Sequence, residues 1–319
     1  MFRLVVAAAI AVLAGAAAAQ VPTEKPVRIV IPYPPGASAD MSSRLIAQKV
    51  EELGGPRVIV ESKPGGGGTV AAMTVKMAPA DPISLFLADI GSFAVNATLM
   101  PDQPFDREKD FKPVAALYAF PSLLMVPVGL PVNNVADLVA LARTTPGGLS
   151  YASQAVGAGG HLLGAIFSDA IKAPMVHVPY RGAAAAVADV AAGNVPMIFV
   201  SFASAQAAYT SKTVKFLGIA SRQRLAILPD VPTMAETGYP DVVLEAWFGL
   251  VAQAAMPDAT VQALNAVFSK AAQSPDVIAR LASQGITVHT GTPADFGALI
   301  KGDTERLAPI ITALGIKAN

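Results

Sequence analysis

The sequence predicts an α/β protein of two lobes, each built on a largely parallel sheet covered by helices. Three observations lead there. Short β-branched runs alternate with amphipathic stretches almost from end to end, as in repeated strand-helix-strand units. The chain has 319 residues, more than half of them hydrophobic, and a core of that size usually divides between two bodies. Two apolar β runs, Leu123-Leu124-Met125-Val126 and Phe248-Gly249-Leu250-Val251, flank the middle series of elements. Hinge strands passing between lobes would stand there. Lobe 1 is therefore expected over residues 20–123 and 248–319, and lobe 2 over 124–247.

The elements follow in order. Val27-Arg28-Ile29-Val30-Ile31 is a β-branched run ended by Pro32-Tyr33-Pro34-Pro35-Gly36, hence a strand and then a loop. From Asp40 the apolar residues Met41, Leu45, Ile46, Val50 and Leu53 recur at helical spacing until Gly54-Gly55 stop them. Arg57 to Val60 reads as a strand, Gly65 to Gly68 as a flexible loop and Thr69 to Met77 as a helix. Ser84 to Ala88 is a third strand, and Ser92 to Leu99 a helix. That order implies parallel strands with helices on both faces.

A second series opens after Leu130-Pro131. It runs helix (Val135 to Arg143), turn (Pro146-Gly147-Gly148), strand (Leu149 to Ser153) and helix (His161 to Ile171). Strand (Met175 to Pro179), helix (Ala183 to Ala192) and strand (Met197 to Val200) complete it. A third series, from about Trp247, carries amphipathic helices around 260–271 and 293–314. There is no internal repeat.

The first residues point to export. Met1-Phe2-Arg3 is a short positive start, Leu4 to Ala14 is uncharged, and Ala17-Ala18-Ala19 is an A-x-A cleavage pattern before Gln20. Residues 1–19 thus read as a signal peptide rather than a membrane anchor, because spanning a bilayer takes about 20 apolar residues. A periplasmic location follows. The mean hydropathy of +0.50 owes much to alanine, and no later segment is an uninterrupted apolar run of spanning length.

Composition excludes several functions. The 23 basic and 23 acidic residues balance, which gives no reason to expect nucleic acid or an anionic membrane surface as partner. With no cysteine there is no disulfide, no lipid-modified N-terminal cysteine, no thiol nucleophile and no thiolate metal site. The three histidines, His161, His177 and His289, are scattered along the chain, and none forms an H-x-x-x-H pair. No G-x-S-x-G elbow is present, nor any clustering of metal ligands. Neither an enzyme, nor a cofactor, nor a metal site is expected.

Ligands of open parallel sheets bind outside the carboxyl ends of strands, and two loops there stand out. In Pro34-Pro35-Gly36-Ala37-Ser38-Ala39-Asp40, Gly36 allows close backbone approach and Ser38 or Asp40 can cap the next helix. Free N–H groups at that helix start form an anion site; an ordinary capped turn is the plainer reading. Ser153-Gln154-Ala155-Val156-Gly157-Ala158-Gly159-Gly160 offers the same means before a helix near His161. Neither it nor Gly65-Gly66-Gly67-Gly68 is a phosphate loop, since no Gly-Lys-Ser or Gly-Lys-Thr follows.

These residues also match a known family. Lys25-Pro26-Val27-Arg28 leading to Pro32-Tyr33-Pro34-Pro35-Gly36 with Asp40, Lys63-Pro64-Gly65, Asn96-Ala97-Thr98-Leu99 and Asp110-Phe111 come first. His177-Val178-Pro179-Tyr180-Arg181-Gly182, Leu228-Pro229-Asp230-Val231-Pro232-Thr233 with Glu236 and Gly238, and Trp247-Phe248-Gly249-Leu250 follow. Together, in this order, they resemble the solute-binding proteins of tripartite tricarboxylate transporters, the Bug family.

The resemblance implies a type II periplasmic binding protein, or Venus flytrap, whose lobes close over one small carboxylate. It implies di- or tricarboxylates or aromatic acids as ligands, a membrane permease as partner, and a monomer. A second role, presenting the ligand to a periplasmic sensor kinase, would use the same cleft. Carried over, the first-lobe contacts are Pro35, Gly36, Ala37 and Ser38, then Asp89, Gly91 and Ser92. The second lobe gives Ser153, Gln154, Val156 and Gly157, Tyr180 and Arg181, and Ser201 with Phe202. Arg181 reads equally well as a carboxylate contact or as a surface or interlobe residue.

Three departures stand out. Ala37 replaces a frequent second glycine, and Asp81-Pro82-Ile83-Ser84-Leu85 replaces Asp-Gly-Tyr-Thr-Leu. Val200-Ser201-Phe202 stands where many relatives carry an acidic residue, which would leave a ligand ammonium without a partner. A ligand without an amino group is expected.

Overall fold

The computed structural model describes residues 25–180, 182–313 and 315. The signal peptide read at 1–19 and the candidate residue Arg181 lie outside them.

Strand β1 (Val27–Ile31) is followed by helix α1 (Ser38–Glu52), β2 (Val58–Ser62), a tight turn at Gly66–Gly68 and α2 (Thr69–Lys76). β3 (Ser84–Asp89) then leads through a wide helical turn, Ile90–Val95, into α3 (Asn96–Leu99). β1 pairs in parallel with both β2 and β3. Its residues are buried on both faces. Ile29 and Ile31 pack with Leu85 and Leu87 on one side, while Val30 joins Phe86 and Ala88 on the other. On α1 the buried stripe is Ala39, Ile46, Ala47 and Val50. Met41 and Leu53, which share the helical spacing of the apolar residues, are exposed.

The next strand joins the two halves. β4 (Phe111–Pro127) is 17 residues long. Its first part, to Pro121, pairs with β9 (Glu245–Gln253), and Ser122 onward pairs with β7 (Ile198–Ser201) and β8 (Val214–Ile219). From the sequence this strand is expected only over Leu123 to Val126. Pro113 and Pro121 disguise the earlier part, because proline donates nothing to a ladder; the register shifts beside Pro113.

Between β4 and β9 the chain forms α4 (Val135–Thr144), β5 (Leu149–Ser153), α5 (Gly159–Ala170), β6 (Met175–Pro179) and α6 (Ala183–Ala191). β7, α7 (Phe202–Thr210) and β8 follow. β5 pairs in parallel with β6 and β7. After β9 come α8 (Asp258–Ala272), α9 (Pro275–Ala282), β10 (Thr287–Val288) and α10 (Pro293–Ala313). β9 lies between β3 and β4, antiparallel to both, and β10 pairs with β4.

Candidate functional site

Strand directions decide where the loops face. β4 runs antiparallel to β9 and β9 antiparallel to β3, so β4 runs with β1 and β3. β7 runs antiparallel to β4, and β5 and β6 run with β7. The carboxyl ends of β1 and β3 therefore point along β4 toward the second sheet, and those of β5, β6 and β7 point back. Asp89 at the end of β3 is level with Phe248, which is level with Tyr118 of β4. Ser201 at the end of β7 is level with Ser122 of β4. Tyr118 and Ser122 are four residues apart, so about 13 Å of strand separates the two sets of ends.

An aromatic floor lies on the first-sheet side of this gap. Phe248 stacks with Tyr118 at 5.2 Å, meets Phe120 edge-on at 5.1 Å and Tyr33 at 5.8 Å. Tyr118 donates to the Ala39 carbonyl at 3.2 Å. Burial pushes the hydroxyls of Tyr33 and Tyr118 well above the ordinary tyrosine value, so both stay protonated. The sequence presents Tyr33 only within the Pro-Tyr-Pro-Pro-Gly run and does not assign it to the site. That run was its only signal in the sequence.

In the first loop Gly36 adopts φ +82°, a conformation side-chain-bearing residues avoid. Its N–H donates to the Asp40 carboxylate at 2.9 Å. Neither Ser38 nor Asp40 is the N-cap; that position is Ala37, which makes no side-chain cap. Burial pushes the Asp40 carboxyl up, but Arg44, bonded at 2.9 Å, and the Gly36 N–H hold it below the usual range. Its charge is thereby offset at a helix start that favours anions. The amides of Ser38 and Ala39 have no backbone acceptor among the described residues. Pro35 and Ala37 are exposed or partly exposed beside them.

After β3 the cap is closed. The Asp89 carboxylate accepts from Gly91 N–H at 2.7 Å, Ser92 N–H at 3.0 Å and the Ser92 hydroxyl at 3.0 Å. Burial pushes the Asp89 carboxyl up, and those donors, with the Tyr33 hydroxyl, oppose it without reversing the direction. Asp89 and Ser92 are buried. These three candidates act on one another and build the wall.

On the second-sheet side, Gly157 adopts φ +78° and Val156 is 44 % exposed. The Gly159 and Gly160 amides at the start of α5 have no backbone acceptor among the described residues. The Gln154 Nε2 donates weakly to the Phe199 carbonyl at 3.5 Å, while its Oε1 is buried without a partner. Tyr180 N–H donates to the Ser153 carbonyl at 2.9 Å and Gly182 N–H to the Gln154 carbonyl at 2.8 Å, tying two loops together. The Tyr180 hydroxyl donates to Asp189 at 2.6 Å, which pushes it up to about 12. That hydroxyl turns to α6.

Ser201 caps no amide with its side chain and lies 3.0 Å from the Ser204 hydroxyl. Phe202, the first residue of α7, packs its ring in the core against Tyr209 and Phe216.

Two histidines that the sequence left apart meet beneath the second loop. The His161 and His177 rings stack at 3.6 Å and 6°. His161 Nδ1 accepts from Gly157 N–H at 3.0 Å, and His177 Nε2 lies 2.6 Å from the Ser153 hydroxyl. No group of three or more His, Cys, Asp or Glu side chains among the described residues could hold a metal. No described helix is long and apolar enough to cross a membrane. A cavity of about 890 Å³ lies away from the gap, between the 101–113 segment and α10.

Two α/β sheets sharing one crossing strand, with helix starts facing across the crossing, define a type II periplasmic binding protein. The match to known proteins is more specific. Residues 43–316 match the model of the tripartite tricarboxylate transporter family receptor. The chain is 35 % identical over 92 % of its length, and 88 % of the relative's, to the UPF0065 protein of the tcbD-tcbE intergenic region of a Pseudomonas species. It is 30 % identical to protein BugT of Bordetella pertussis over 92 % of this chain and 90 % of that one. The solved Rhodopseudomonas palustris protein Rpa4515 with adipate superposes with TM-score 0.78 at 29 % identity, covering 93 % and 99 % of the two chains. MatC from the same organism with bound malate gives 0.72 at 28 %, covering 90 % and 99 %. The chain belongs to the tripartite tricarboxylate transporter receptors, the Bug family.

Proposed function

We propose that this protein captures a small organic carboxylate without an amino group in the gap between its lobes and delivers it to a tripartite tricarboxylate-type permease. The supporting observation is that the carboxyl ends of β1 and β3 face those of β5, β6 and β7, with about 13 Å of β4 between the levels of Asp89 and Ser201, so that α1 opens from one side and α5 and α7 from the other. Each offers backbone amides at the positive end of a helix. A dicarboxylate carries a negative group at each end and so matches both walls. An aromatic acid would set its ring on the floor of Tyr33, Phe120 and Phe248.

The carboxylates held by two relatives, adipate and malate, agree with this class. Ser201 and the buried Phe202 offer no acidic side chain to an ammonium group. Charge-assisted hydrogen bonds contribute about 1.5–3 kcal/mol each, and micromolar affinity corresponds to about 8 kcal/mol. Four or five such bonds supply that after the cost of lobe closure. Within this reading the leader at 1–19 sends the chain to the periplasm, and the lobes are residues 20–123 with 248–319 and residues 124–247.

The test is native mass spectrometry for a co-purified acid, then thermal shift and calorimetry with adipate, malate, benzoate, aspartate and glutamate. A plain carboxylate is expected to raise Tm in a concentration-dependent way. Tight binding of aspartate or glutamate with none of the others would overturn the ligand class.

A further inference from the structure

We propose that the stacked His161–His177 pair is the positioning element of the second binding turn, holding residues 153–158 by a hydrogen bond at each end. This rests on the reading that this turn carries ligand contacts. At one end, His161 Nδ1 accepts from Gly157 N–H at 3.0 Å. At the other, His177 Nε2 meets the Ser153 hydroxyl at 2.6 Å, and that hydroxyl also reaches the Ala155 carbonyl at 2.9 Å.

Proton counting fixes the tautomers. An N–H can only donate, so His161 Nδ1 must be bare and a neutral ring carries its proton on Nε2. The single Ser153 proton goes to the Ala155 carbonyl, so Ser153 accepts from His177 Nε2–H. The rings then lie face to face at 3.6 Å, and Tyr151 flanks them, its hydroxyl donating to the His161 carbonyl at 3.3 Å. Both hydrogen bonds that hold the turn are thus committed to one direction.

Protonation of His161 at Nδ1 would set a donor against the Gly157 donor and release that end of the turn. The titratable groups facing His161 are Tyr151 from β5 and His177 from β6. β7 brings none. On α10, Asp303 pairs with Arg306 at 2.8 Å and accepts from the Trp247 indole at 2.9 Å. Burial and then the neighbouring His177 push His161 down to about 4, so the turn stays fixed at neutral pH and loosens on acidification.

Three measurements test this. In the free wild-type protein, the Gly157 amide resonance should move with the His161 titration, at a midpoint well below 6.5; an amide that ignores that titration overturns the proposal. Hydrogen exchange of residues 154–158 should quicken about tenfold in His161→Phe, which keeps a stacking ring but no acceptor, and much less in His161→Asn, which keeps an acceptor near the Nδ1 position. Equal exchange in wild type and both folded variants would overturn it. With adipate as probe, His161→Phe should weaken binding about tenfold and His161→Asn should restore most of it. Failure of adipate to bind wild type would count against the proposed ligand class alone, because the first two measurements use the free protein.

Discussion

Asp89 is where strand, turn and floor are fastened together at one residue. Its carboxylate gathers two amides and a hydroxyl at 2.7–3.0 Å in a place only 4 % exposed. Replacing it by alanine strands those donors away from water. Asp89→Ala is expected to cost about 2–4 kcal/mol in urea unfolding, and Asp89→Asn, which keeps an acceptor oxygen, about half as much. Equal losses for the two would show that the cap does not carry the stability. This use of Asp89 was not legible in the sequence, where an acidic residue after a strand looks equally ready for a ligand. The glycines were legible. A positive φ at residues 36 and 157 fits a glycine standing in each strand-to-helix loop. Which acceptor then takes the freed N–H depends on side-chain directions that spacing does not fix, as Asp40 and His161 demonstrate.

Among the elements, β9 fits closely against α10 and β4. A Cβ on Gly249 would stand 2.4 Å from the Phe296 ring and 2.6 Å from the Ala115 carbonyl oxygen. Phe296 lies edge-on to Trp247 at 5.4 Å, so α10 is seated by that missing side chain. Gly249→Ala is expected to destabilise by about 1–3 kcal/mol. Gly302→Ala, on α10 with nothing within 4 Å, should be neutral or stabilise by up to about 1 kcal/mol. Denaturant unfolding of the pair separates the contact from helix propensity. Elements with strong periodicity, such as β1, β3 and α8, could be read directly. The stretch from 202 to 246 could not. The apolar residues of α7 are mostly alanines without a dominant stripe, and β8 contains Lys215 and Gly218. The histidine stack escaped for a related reason, since it needs the β5–β6 register that sets Tyr151 beside His177 and the packing of α5 across that sheet.

For the whole molecule the histidine pair makes stability depend on pH in a definite direction. His161 sits near 4 when folded and at the ordinary 6.5 when unfolded. Between those values the unfolded chain binds the proton and the folded one does not. This contribution is therefore fully present above about pH 6.5 and is lost as pH falls toward about 4. About 2 kcal/mol is expected after allowing for solvent access to the turn. Melting curves of the ligand-free protein from about pH 7.5 to about 4.5 should show the fall, and His161→Phe should flatten it. An identical slope in the variant would place the effect elsewhere.

The long strand shared by both sheets and the late arrival of its neighbour also govern the order of assembly. β3 ends at Asp89, yet its partner β9 begins at Glu245. Until that segment emerges during synthesis, β3 and the first part of β4 keep bare edges, and contacts so distant in sequence form slowly. A chain still emerging would thus lack the middle of its first sheet, and the molecule would finish folding only once the segment through Gln253 was available.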